Sequence, residues 1–271
     1  MQPLIAVILA RGLGTRMRRA DSDVNLDDAQ SRVADTGVKA MIPIGRPFLD
    51  YLLSGLADAG ITEACLVIGP EHDVVRRYYD ETARPQRIRI AFAIQPEPLG
   101  TADAVAAASG VVGDRDFLVL NSDNYYPVEA YRALASLGGP GLVAFEQEAM
   151  VRGGNVPPGR VAKLAVVRIG PDDTLLDVIE KPDAATLRSL GDRLYLSMNC
   201  WRFDRRVLDA CARVPLSPRG EHELPDAVRL AQRETGTRFR VIRMEAGVLD
   251  LSSRGDIAGV ARFLAGVTVN P

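Results

Sequence analysis

A run of apolar residues at positions 4–10 constrains the fold of this chain more than any other feature. Both faces of such a strand must be covered, as they are in a parallel sheet between two layers of helices. The run passes directly into segment 11–17, RGLGTRM. The glycines of that segment let backbone N–H groups approach an anion, and a nest of such amides binds phosphate. The pattern predicts an α/β sheet with an anion-binding turn after its first strand. A plain glycine turn is the alternative.

Strand and helix signals alternate through the first half of the chain. Apolar residues recur at helical spacing over 49–56, and Gly60 follows as a stop. A second helix, of small residues, is predicted over 102–108. Strands are predicted over residues 64–69, 88–94 and 117–120. This alternation predicts a mostly parallel sheet with right-handed connections and helices on both faces.

The rhythm changes from about residue 141. Segments 161–169 and 174–181 flank residues 170–173, GPDD, which favour a turn. A further strand is predicted over 193–203, and helices are predicted over 223–232 and 254–264. These elements insert an antiparallel portion onto the first sheet. We therefore predict one domain over 1–271, an α/β fold with a Rossmann-like mixed sheet in a three-layer arrangement.

Composition excludes several classes of protein. The 271 residues are 47% apolar, which is enough for a large core, and the net charge of −2 gives no basic footprint for nucleic acid. No apolar stretch approaches the length that spans a bilayer, and Met1-Gln2-Pro3 lacks the charged start of a signal peptide. Three cysteines and two histidines show no metal-ligand spacing. We predict a cytoplasmic protein that binds neither nucleic acid nor membrane.

Two aspartates, Asp123 and Asp250, each follow an apolar segment that is predicted to be a buried strand. A carboxylate at such a position is costly to desolvate unless a cation or a chemical task accounts for it. Together they predict a divalent cation near the glycine turn. Asp123 beside Asn124 could instead be an ordinary turn residue, and Asp250 could cap a loop through Ser252 or Ser253.

Two cationic side chains are candidates for contacting phosphate. Arg16 lies within the glycine segment, and its guanidinium has the forked geometry that suits phosphate oxygens. Lys39 precedes an apolar segment and would supply a point charge. Taken alone, Lys39 is better interpreted as a solvated surface lysine. The segment is neither a Walker loop nor a dinucleotide fingerprint, because Met17 stands at the third glycine position.

The motifs occur in an order that resembles a known family. They are LARGLGTRM at 9–17, KAMIP at 39–43, QPEPLGTADA at 95–104, NSDN at 121–124, EKP at 180–182 and GVLD at 247–250. The set resembles the sugar-1-phosphate nucleotidyltransferases, in particular the glucose-1-phosphate thymidylyltransferase and mannose-1-phosphate guanylyltransferase group. The resemblance spans nearly the whole chain. It implies a nucleotide-binding half over 1–140 and a sugar-binding half over 141–271.

The resemblance implies an enzyme that uses magnesium, Mg²⁺, to join a nucleoside triphosphate and a sugar 1-phosphate. The sugar phosphate would attack the α-phosphorus and expel pyrophosphate. A phosphate monoester is largely dianionic at neutral pH, because its second pKa is about 6, so no strong general base is needed. Cations and positioning would supply the catalysis. Related folds often self-associate, so a homo-oligomer is compatible with the resemblance.

Roles for individual residues follow from the same resemblance. Arg16, Lys39 and Asp123 would be catalytic, and Asp123 and Asp250 would hold Mg²⁺. The nucleotide would contact Gly12, Gly14, Thr15, Gln95, Gly100 and Thr101. Gln95 would read the base edge, and Gly100 would let the base approach the backbone. The sugar phosphate would contact Glu180, Lys181 and Asn199, whereas Trp201 is predicted to be a core residue.

Departures from the family pattern leave several points open. Arg11 replaces a small residue near the nucleoside, and Leu164-Ala165 and Met198-Asn199 alter the expected sugar pocket. The base is undecided, with a pyrimidine or guanine favoured. A non-sugar acceptor of phosphocholine or phosphonate type stays open, as does a non-catalytic nucleotide-sugar sensor on the same fold.

Residues 18–38 form a longer segment than the family has between its arginine and its lysine. Acidic and capping residues over 21–30 favour a short helix there. We weigh two interpretations of this segment. It could be a lid that orders over the triphosphate, or a disordered surface insertion.

Overall fold

The computed structural model describes residues 3–161 and 163–271. The strands are β1 Ile5–Leu9, β2 Pro43–Ile44, β3 Arg46–Pro47, β4 Glu63–Ile68, β5 Arg89–Ile94, β6 Phe117–Asn121, β7 Asn124–Tyr125, β8 Gly141–Glu146, β9 Ala165–Ile169, β10 Leu175–Ile179, β11 Tyr195–Phe203, β12 Arg240–Met244 and β13 Leu249–Asp250. The helices are α1 Thr15–Arg18, α2 Asp28–Thr36, α3 Phe48–Asp58, α4 Asp73–Arg77, α5 Thr101–Ala107, α6 Ser109–Val112, α7 Val128–Ser136, α8 Gln147–Gly153, α9 Pro158–Val161, α10 Ala184–Ser189, α11 Arg205–Cys211, α12 Leu224–Thr235 and α13 Ile257–Leu264. Short 3-10 turns cover Lys39–Met41, Pro171–Asp173 and Arg254–Asp256, and a π-helical turn covers Tyr78–Ala83.

Most of these strands form one mixed sheet. Its order is β10-β9-β11-β6-β1-β4-β5, and β8 and β12 extend it from the other edge of β11. Strands β6, β1, β4 and β5 are parallel to one another, as are β8 and β12. Strand β11 runs antiparallel to β6, β8 and β9, and β9 runs antiparallel to β10. The predicted α/β fold with an antiparallel portion in its second half is confirmed.

Helices cover both faces of the sheet, which is why β1 is apolar throughout. On one face, Leu52 and Leu56 of α3 pack with Ile8 of β1 in one core cluster. On the other, Val7 of β1 packs with Val105 of α5 and residues of α11 and α12. A smaller cluster joins α13 to β2 and α3. The predicted apolar face of residues 49–56 is therefore the buried face of α3.

Strand β11 lies near the centre of the sheet and pairs with three other strands. Along one edge, its first half pairs with β9 and its second half with β6, while β8 follows the opposite edge. The register shifts between Ser197 and Trp201. Asn199 lies inside this irregularity with φ 53°, a left-handed conformation that asparagine tolerates better than most residues. The change of partner along one edge opens a gap in the sheet beside Asn199.

Several predicted boundaries need correction. The turn at residues 170–173 is confirmed, but the first strand of that hairpin begins at Ala165 rather than 161, and α9 occupies Pro158–Val161. Residue 162 lies outside the described residues. The helix expected over 21–30 is placed too early, because it begins at Asp28. The reason is that Asp27 is its N-cap and accepts from the Gln30 backbone N–H at 2.7 Å, so the capping residues precede the helix.

Two further features concern the cysteines and the lengths of the helices. The thiols of Cys65, Cys200 and Cys211 are all buried and unpaired. Across the ranges that the structure describes, the helices are too short or too polar to cross a membrane.

Candidate active site

A cavity of about 390 Å³ lies at the carboxyl ends of the parallel strands, where ligands of open α/β sheets bind. It brings together most of the residues that were predicted to act. Those lining it are Gly12, Gly14, Thr15, Arg16, Lys39, Gln95, Gly100, Thr101, Asp123 and Asn199. Their positions follow the strands: Gln95 directly follows β5, and Asn121 and Asp123 lie at the end of β6.

The glycine segment forms one wall of the cavity. Gly14 has φ 60°, and a Cβ there would lie 2.1 Å from the carbonyl oxygen of Gly37. Only glycine therefore fits between the segment and the end of α2. In the described part of the chain, the backbone N–H groups of Gly12, Leu13 and Thr15 donate to no acceptor. They are available to an anion, as a phosphate-binding nest requires.

The predicted phosphate-binding cations differ in their surroundings. Arg16 is exposed, and it forms no ion pair with any residue that the structure describes. Lys39 is mostly buried, and its Nζ forms an ion pair with Asp123 Oδ2. The interpretation of Lys39 as a solvated surface residue is therefore wrong. Its ammonium group lies at the carboxylate that was predicted to bind metal.

The two predicted metal ligands are close to each other. Strands β7 and β13 pair Asn124 with Asp250, and the Leu251 N–H donates to the Asp123 carbonyl oxygen at 2.8 Å. The Asp250 side chain is only 10% exposed. Burial, followed by the negative charge of Asp123, raises the pKa of Asp250 from 3.8 to about 6, and Arg160 opposes this shift.

Asp250 lies behind the cavity wall rather than on its surface. Ser252, which lines the cavity, donates its hydroxyl to the Asp250 carboxylate at 2.9 Å from either oxygen. Arg160 Nη2 lies 3.1 Å from Asp250 Oδ2 and also contacts Asp256. The sequence also suggested that Asp250 could cap a loop through Ser252, and the contact between these two side chains is present. This contact does not explain why a charged carboxylate is buried there.

The donor set is compatible with Mg²⁺. Two neighbouring carboxylates, one of which has a pKa raised by burial and by the charge of the other, are the arrangement that a divalent cation relieves. No cluster of three or more histidine, cysteine or acidic side chains exists in the ranges described. Mg²⁺ commonly binds through one or two carboxylates and completes its shell with substrate phosphates and water. Asp123 and Asp250 would hold such an ion only together with a phosphate ligand.

Gln95 presents a defined hydrogen-bonding edge to the cavity. Its Nε2 donates to the Gly100 carbonyl oxygen at 3.1 Å and to Asp103 Oδ2 at 2.7 Å. Both partners can only accept, so the amide nitrogen must face them. Its Oε1 accepts from none of the described residues. Gln95 therefore offers a ligand an acceptor and no donor.

Gly100 has a structural reason for being glycine that differs from the predicted one. Its φ is 117°, and a Cβ there would lie 2.5 Å from the carbonyl oxygen of His222. The His222 N–H donates to Leu99 O at 2.7 Å, and Thr101 Oγ1 accepts from the Leu224 N–H at 3.0 Å. The absence of a side chain at Gly100 thus allows the backbone of the segment before α12 to pack against it. A role in admitting the base stays a prediction.

Residues 31–250 match a family model described as nucleotidyl transferase. The chain belongs to the nucleotidyl transferase family. The match confirms the resemblance drawn from the six motifs and the assignment to a family of enzymes. The glycine segment lies outside the matched range, so its place in the site depends on the geometry described above.

Curated relatives support the same family. The chain is 26% identical over 251 residues to a UTP–glucose-1-phosphate uridylyltransferase, AglF, of Haloferax volcanii, and the match covers 91% of this chain and 90% of the relative. It is 27% identical over 225 residues to the bifunctional protein GlmU of Methanococcus maripaludis, covering 83% of this chain and 46% of the relative. The chain thus spans about half the length of several relatives that it matches.

Solved structures show the same fold as this nucleotidyl transferase. A UDP-glucose pyrophosphorylase in complex with UDP-glucose aligns with a TM-score of 0.72 at 16% identity, covering 96% of this chain and 98% of the other. The UTP-bound enzyme from Acinetobacter baumannii aligns with a TM-score of 0.71 at 19% identity, covering 99% and 96%. At such identities the likeness concerns the fold alone.

The sugar side of this nucleotidyl transferase matches the prediction only in part. Asn199 lines the cavity, but Glu180 and Lys181 do not. Both are exposed and follow β10, which is separated from β6 by β9 and β11 in the sheet. Met198 is buried at 5% exposure and belongs to the core. The structure therefore does not bring Glu180 and Lys181 to the described cavity.

Other residues at the cavity were not assigned a role from the sequence. They include the polar residues Asn121, Ser122, Glu221 and Ser252. Asn121 and Ser122 belong to the motif that contains Asp123, so the motif was a usable signal. Glu221 and Ser252 come from loops before α12 and after β13, and their approach depends on tertiary packing that no local pattern reveals.

Arg11 is the clearest departure from the family pattern, and its side chain is buried. The guanidinium is only 7% exposed and lies 3.4 Å from Glu71. Its Nε and Nη1 have no hydrogen-bond partner among the described residues. A Cβ on Gly69 would lie 2.5 Å from Arg11 Nε and 2.4 Å from a Glu71 carboxylate oxygen, so this ion pair would have to shift to admit a larger residue. Arg11 lines the cavity, but its guanidinium is largely buried beside Glu71.

Residues 18–38 contain an ordered helix that is docked beside the glycine segment. Gln30 Nε2 donates to the Pro43 carbonyl oxygen at 3.1 Å, and Asp35 forms an ion pair with Arg254. The Gly37 backbone meets Gly14 as described above. The interpretation of this segment as a disordered insertion is wrong, because α2 is anchored at both ends. Its closure over a triphosphate stays a prediction.

Proposed function

We propose that this protein transfers a nucleotidyl group from a nucleoside triphosphate to a sugar 1-phosphate, forming an NDP-sugar and pyrophosphate in a reaction that depends on Mg²⁺. One observation carries the proposal. Unpaired backbone amides of the glycine segment, Arg16, Lys39 and Asp123 line one cavity, and Asp250 lies directly behind the lining residue Ser252. That combination fits two anionic substrates that repel each other and need shared cations to meet.

The chemistry follows from the charges around the cavity. An oxygen of the sugar phosphate attacks the α-phosphorus, a new P–O bond forms, and the bond from the α-phosphorus to the bridging oxygen breaks to release pyrophosphate. The attacking oxygen is already anionic, so no proton has to be removed. The glycine segment and Arg16 would hold the β- and γ-phosphates and the departing charge. Mg²⁺, bound by Asp123 and Asp250, would neutralise the phosphate oxygens.

Lys39 would act at the attacked phosphate. Its ammonium group already lies at Asp123, beside the proposed metal position. A cation there lowers the repulsion between the incoming sugar phosphate and the α-phosphate. Asn199 would contact the acceptor from the gap in the sheet. We keep a cytoplasmic location as part of the proposal, because the cysteines are buried as free thiols.

The acceptor edge of Gln95 favours a base that carries a ring N–H. Uracil, thymine and guanine have such a group on the pairing edge, whereas adenine and cytosine place an acceptor there. A bare acceptor opposite another acceptor leaves both without a partner, which is costly in a closed site. Relatives named as uridylyltransferase and guanylyltransferase are consistent with this choice.

A second acceptor class is favoured by one observation. Glu180 and Lys181, which were expected to hold the sugar phosphate, lie outside the described cavity. The same transfer to a non-sugar phosphate monoester, such as phosphocholine or a phosphonate, would not need them.

Pyrophosphate release from ATP, CTP, GTP, UTP and dTTP, each combined with hexose 1-phosphates and with phosphocholine, tests the proposal. We expect UTP, dTTP or GTP with a hexose 1-phosphate to give the highest kcat/KM. Asp123→Ala and Asp250→Ala should each abolish Mg²⁺-dependent release while the protein stays folded. Asp114→Ala is the matched control, because Asp114 is 90% exposed and does not line the cavity. Full activity in either site variant would remove the metal assignment.

A further inference from the structure

A chain of hydrogen bonds runs from a buried indole to one of the proposed metal ligands. Trp201 Nε1 donates to Asn199 Oδ1 at 3.3 Å, and Asn199 Nδ2 donates to Asn121 Oδ1 at 3.3 Å. Asn121 Nδ2 donates to Asn124 Oδ1 at 3.1 Å, and Asn124 Nδ2 donates to Asp250 Oδ1 at 3.3 Å. Every link points the same way, from the tryptophan to the carboxylate.

The direction of this chain is fixed from both ends. An indole N–H can only donate, so Asn199 must turn its oxygen toward Trp201 and its nitrogen toward Asn121. At the other end, an ionised carboxylate can only accept, and Asn124 Nδ2 also lies 3.5 Å from the Leu249 carbonyl oxygen. No amide in the chain can be reversed without setting two donors or two acceptors against each other.

The indole end of the chain is held firmly. Trp201 is fully buried, and its ring lies 5.3 Å from Phe203 and 6.3 Å from Phe239. Asn199 occupies the left-handed position where β11 changes partner. The chain of hydrogen bonds then crosses from β11 to β6 and continues to the small β7–β13 sheet. It therefore links the core of the second half to the carboxylate at the cavity.

We propose that Trp201 and Asn199 are positioning residues that act on Asp250 through Asn121 and Asn124. Arg160 Nη2 lies 3.1 Å from Asp250 Oδ2, and the Ser252 hydroxyl lies 2.9 Å from both carboxylate oxygens, so Asn124 on Oδ1 sets the rotation of the carboxylate together with these two groups. Asn199 and Asn121 also line the cavity. Each uses one of its two amide N–H groups within the described chain, which leaves the other for a phosphate or hydroxyl oxygen of a ligand.

This inference rests on the proposed function, because it concerns the orientation of a carboxylate that would hold Mg²⁺. Groups behind a metal ligand commonly change metal affinity by about 10–100-fold when they are removed. A polarised chain passes part of that effect along its length. We therefore expect Trp201→Phe, which keeps an aromatic ring but has no donor, to raise the Mg²⁺ concentration for half-maximal activity about tenfold and to lower kcat much less.

A second variant and a control separate positioning from packing. Asn199→Asp keeps an acceptor for Trp201 and tolerates the same backbone conformation, but it cannot donate to Asn121. It should shift the Mg²⁺ requirement in the same direction as Trp201→Phe. Phe239→Leu removes aromatic packing against Trp201 without touching a hydrogen bond. It should lower thermal stability and leave the Mg²⁺ requirement unchanged.

The resting protein offers a test that needs neither metal nor turnover. Trp201 is the only tryptophan, so a nitrogen–proton correlation spectrum contains one indole N–H signal. Asn124→Leu should move that signal, although the change is made three links away. Tyr125→Phe alters the neighbouring residue of β7 outside the chain and should not move it.

An indole signal that is the same in Asn124→Leu and in the unaltered protein would overturn the inference. So would an unchanged Mg²⁺ requirement in both Trp201→Phe and Asn199→Asp while Asp250→Ala abolishes activity. Full activity in Asp250→Ala would be a failure of the proposed metal site instead. The spectrum of the resting protein distinguishes these two cases, because it reports the chain without any metal.

Discussion

The charged carboxylate of Asp250 lowers the free energy of unfolding of the protein, and Asp250→Asn should restore that free energy. Burial and the charge of Asp123 raise the pKa of Asp250, which means that the folded protein disfavours the charged form. The asparagine side chain has nearly the same shape and carries no charge. We therefore expect Asp250→Asn to be more stable than the unaltered protein at neutral pH, and inactive.

The magnitude follows from the shift in pKa. A change from 3.8 to about 6 corresponds to about 3 kcal/mol once the carboxylate is fully ionised. Between these two values the folded protein keeps a proton that the unfolded chain has released. The stabilising contribution of the protonated group is thus present below about pH 4 and is lost as the pH rises through about 6. The difference between variant and unaltered protein should grow over that interval and stay constant above it.

The asparagine side chain also places an amide N–H group opposite either Asn124 or Arg160, which offsets part of the gain. We expect a net stabilisation of about 1–3 kcal/mol near pH 7.5, falling to about half of that near pH 5. Urea unfolding at the two pH values measures it, together with Mg²⁺-dependent pyrophosphate release. Asp256→Asn is the control, because Asp256 also contacts Arg160 but accepts from the Ser252 and Ser253 backbone N–H groups. It should destabilise at both pH values. Loss of stability in Asp250→Asn at neutral pH, or a gain independent of pH, would refute the reasoning.

Two further substitutions test other parts of the cavity. Gln95→Glu places a second carboxylate against Asp103 Oδ2, which lies only 2.7 Å from the present amide nitrogen. The repulsion should raise KM for the nucleotide by about 10-fold or more. An unchanged KM would contradict the assigned orientation of the amide. Gly69→Ala places a Cβ against Arg11 Nε and should lower the free energy of unfolding in urea by about 1–3 kcal/mol. At Gly60 a Cβ meets nothing within 4 Å, but φ is 85°, so Gly60→Ala measures the cost of backbone strain alone. A loss at Gly69 no larger than that at Gly60 would show that Arg11 moves aside freely.

The parallel half of the fold was predictable because its signals are local. Strand β1 is apolar at every position, and a strand covered on both faces requires no information from elsewhere in the chain. Residues 49–56 and 102–108 show the spacing of helices that pack on a sheet, and both became helices with boundaries near those expected. The glycine segment and Gln95 could be placed at the cavity because each directly follows a strand of that sheet.

The antiparallel half and its contribution to the site were harder to predict, because they depend on contacts between distant segments. Gly100 is a clear case. The sequence suggested close approach of a ligand, whereas the segment that occupies the space is the backbone of His222. Glu180 and Lys181 form a recognisable motif, but they follow β10, the edge strand of the sheet, and do not line the cavity. A motif identifies residue types, and only the pairing of strands decides where they lie.

The two carboxylates of the site show why charged residues identified the site from the sequence better than predicted strand ends did. Neither residue ends a strand of the main sheet: Asp123 lies in a turn after β6, and Asp250 belongs to β13, which pairs only with β7. Even so, each is matched by a basic side chain from a distant segment, Lys39 for Asp123 and Arg160 for Asp250. An ion pair with one cation does not offset the burial of Asp250, since its pKa stays raised in the presence of Arg160. A buried carboxylate that remains under-compensated is poorly explained by stability, and the proposed divalent cation, brought by a phosphate substrate, would account for it.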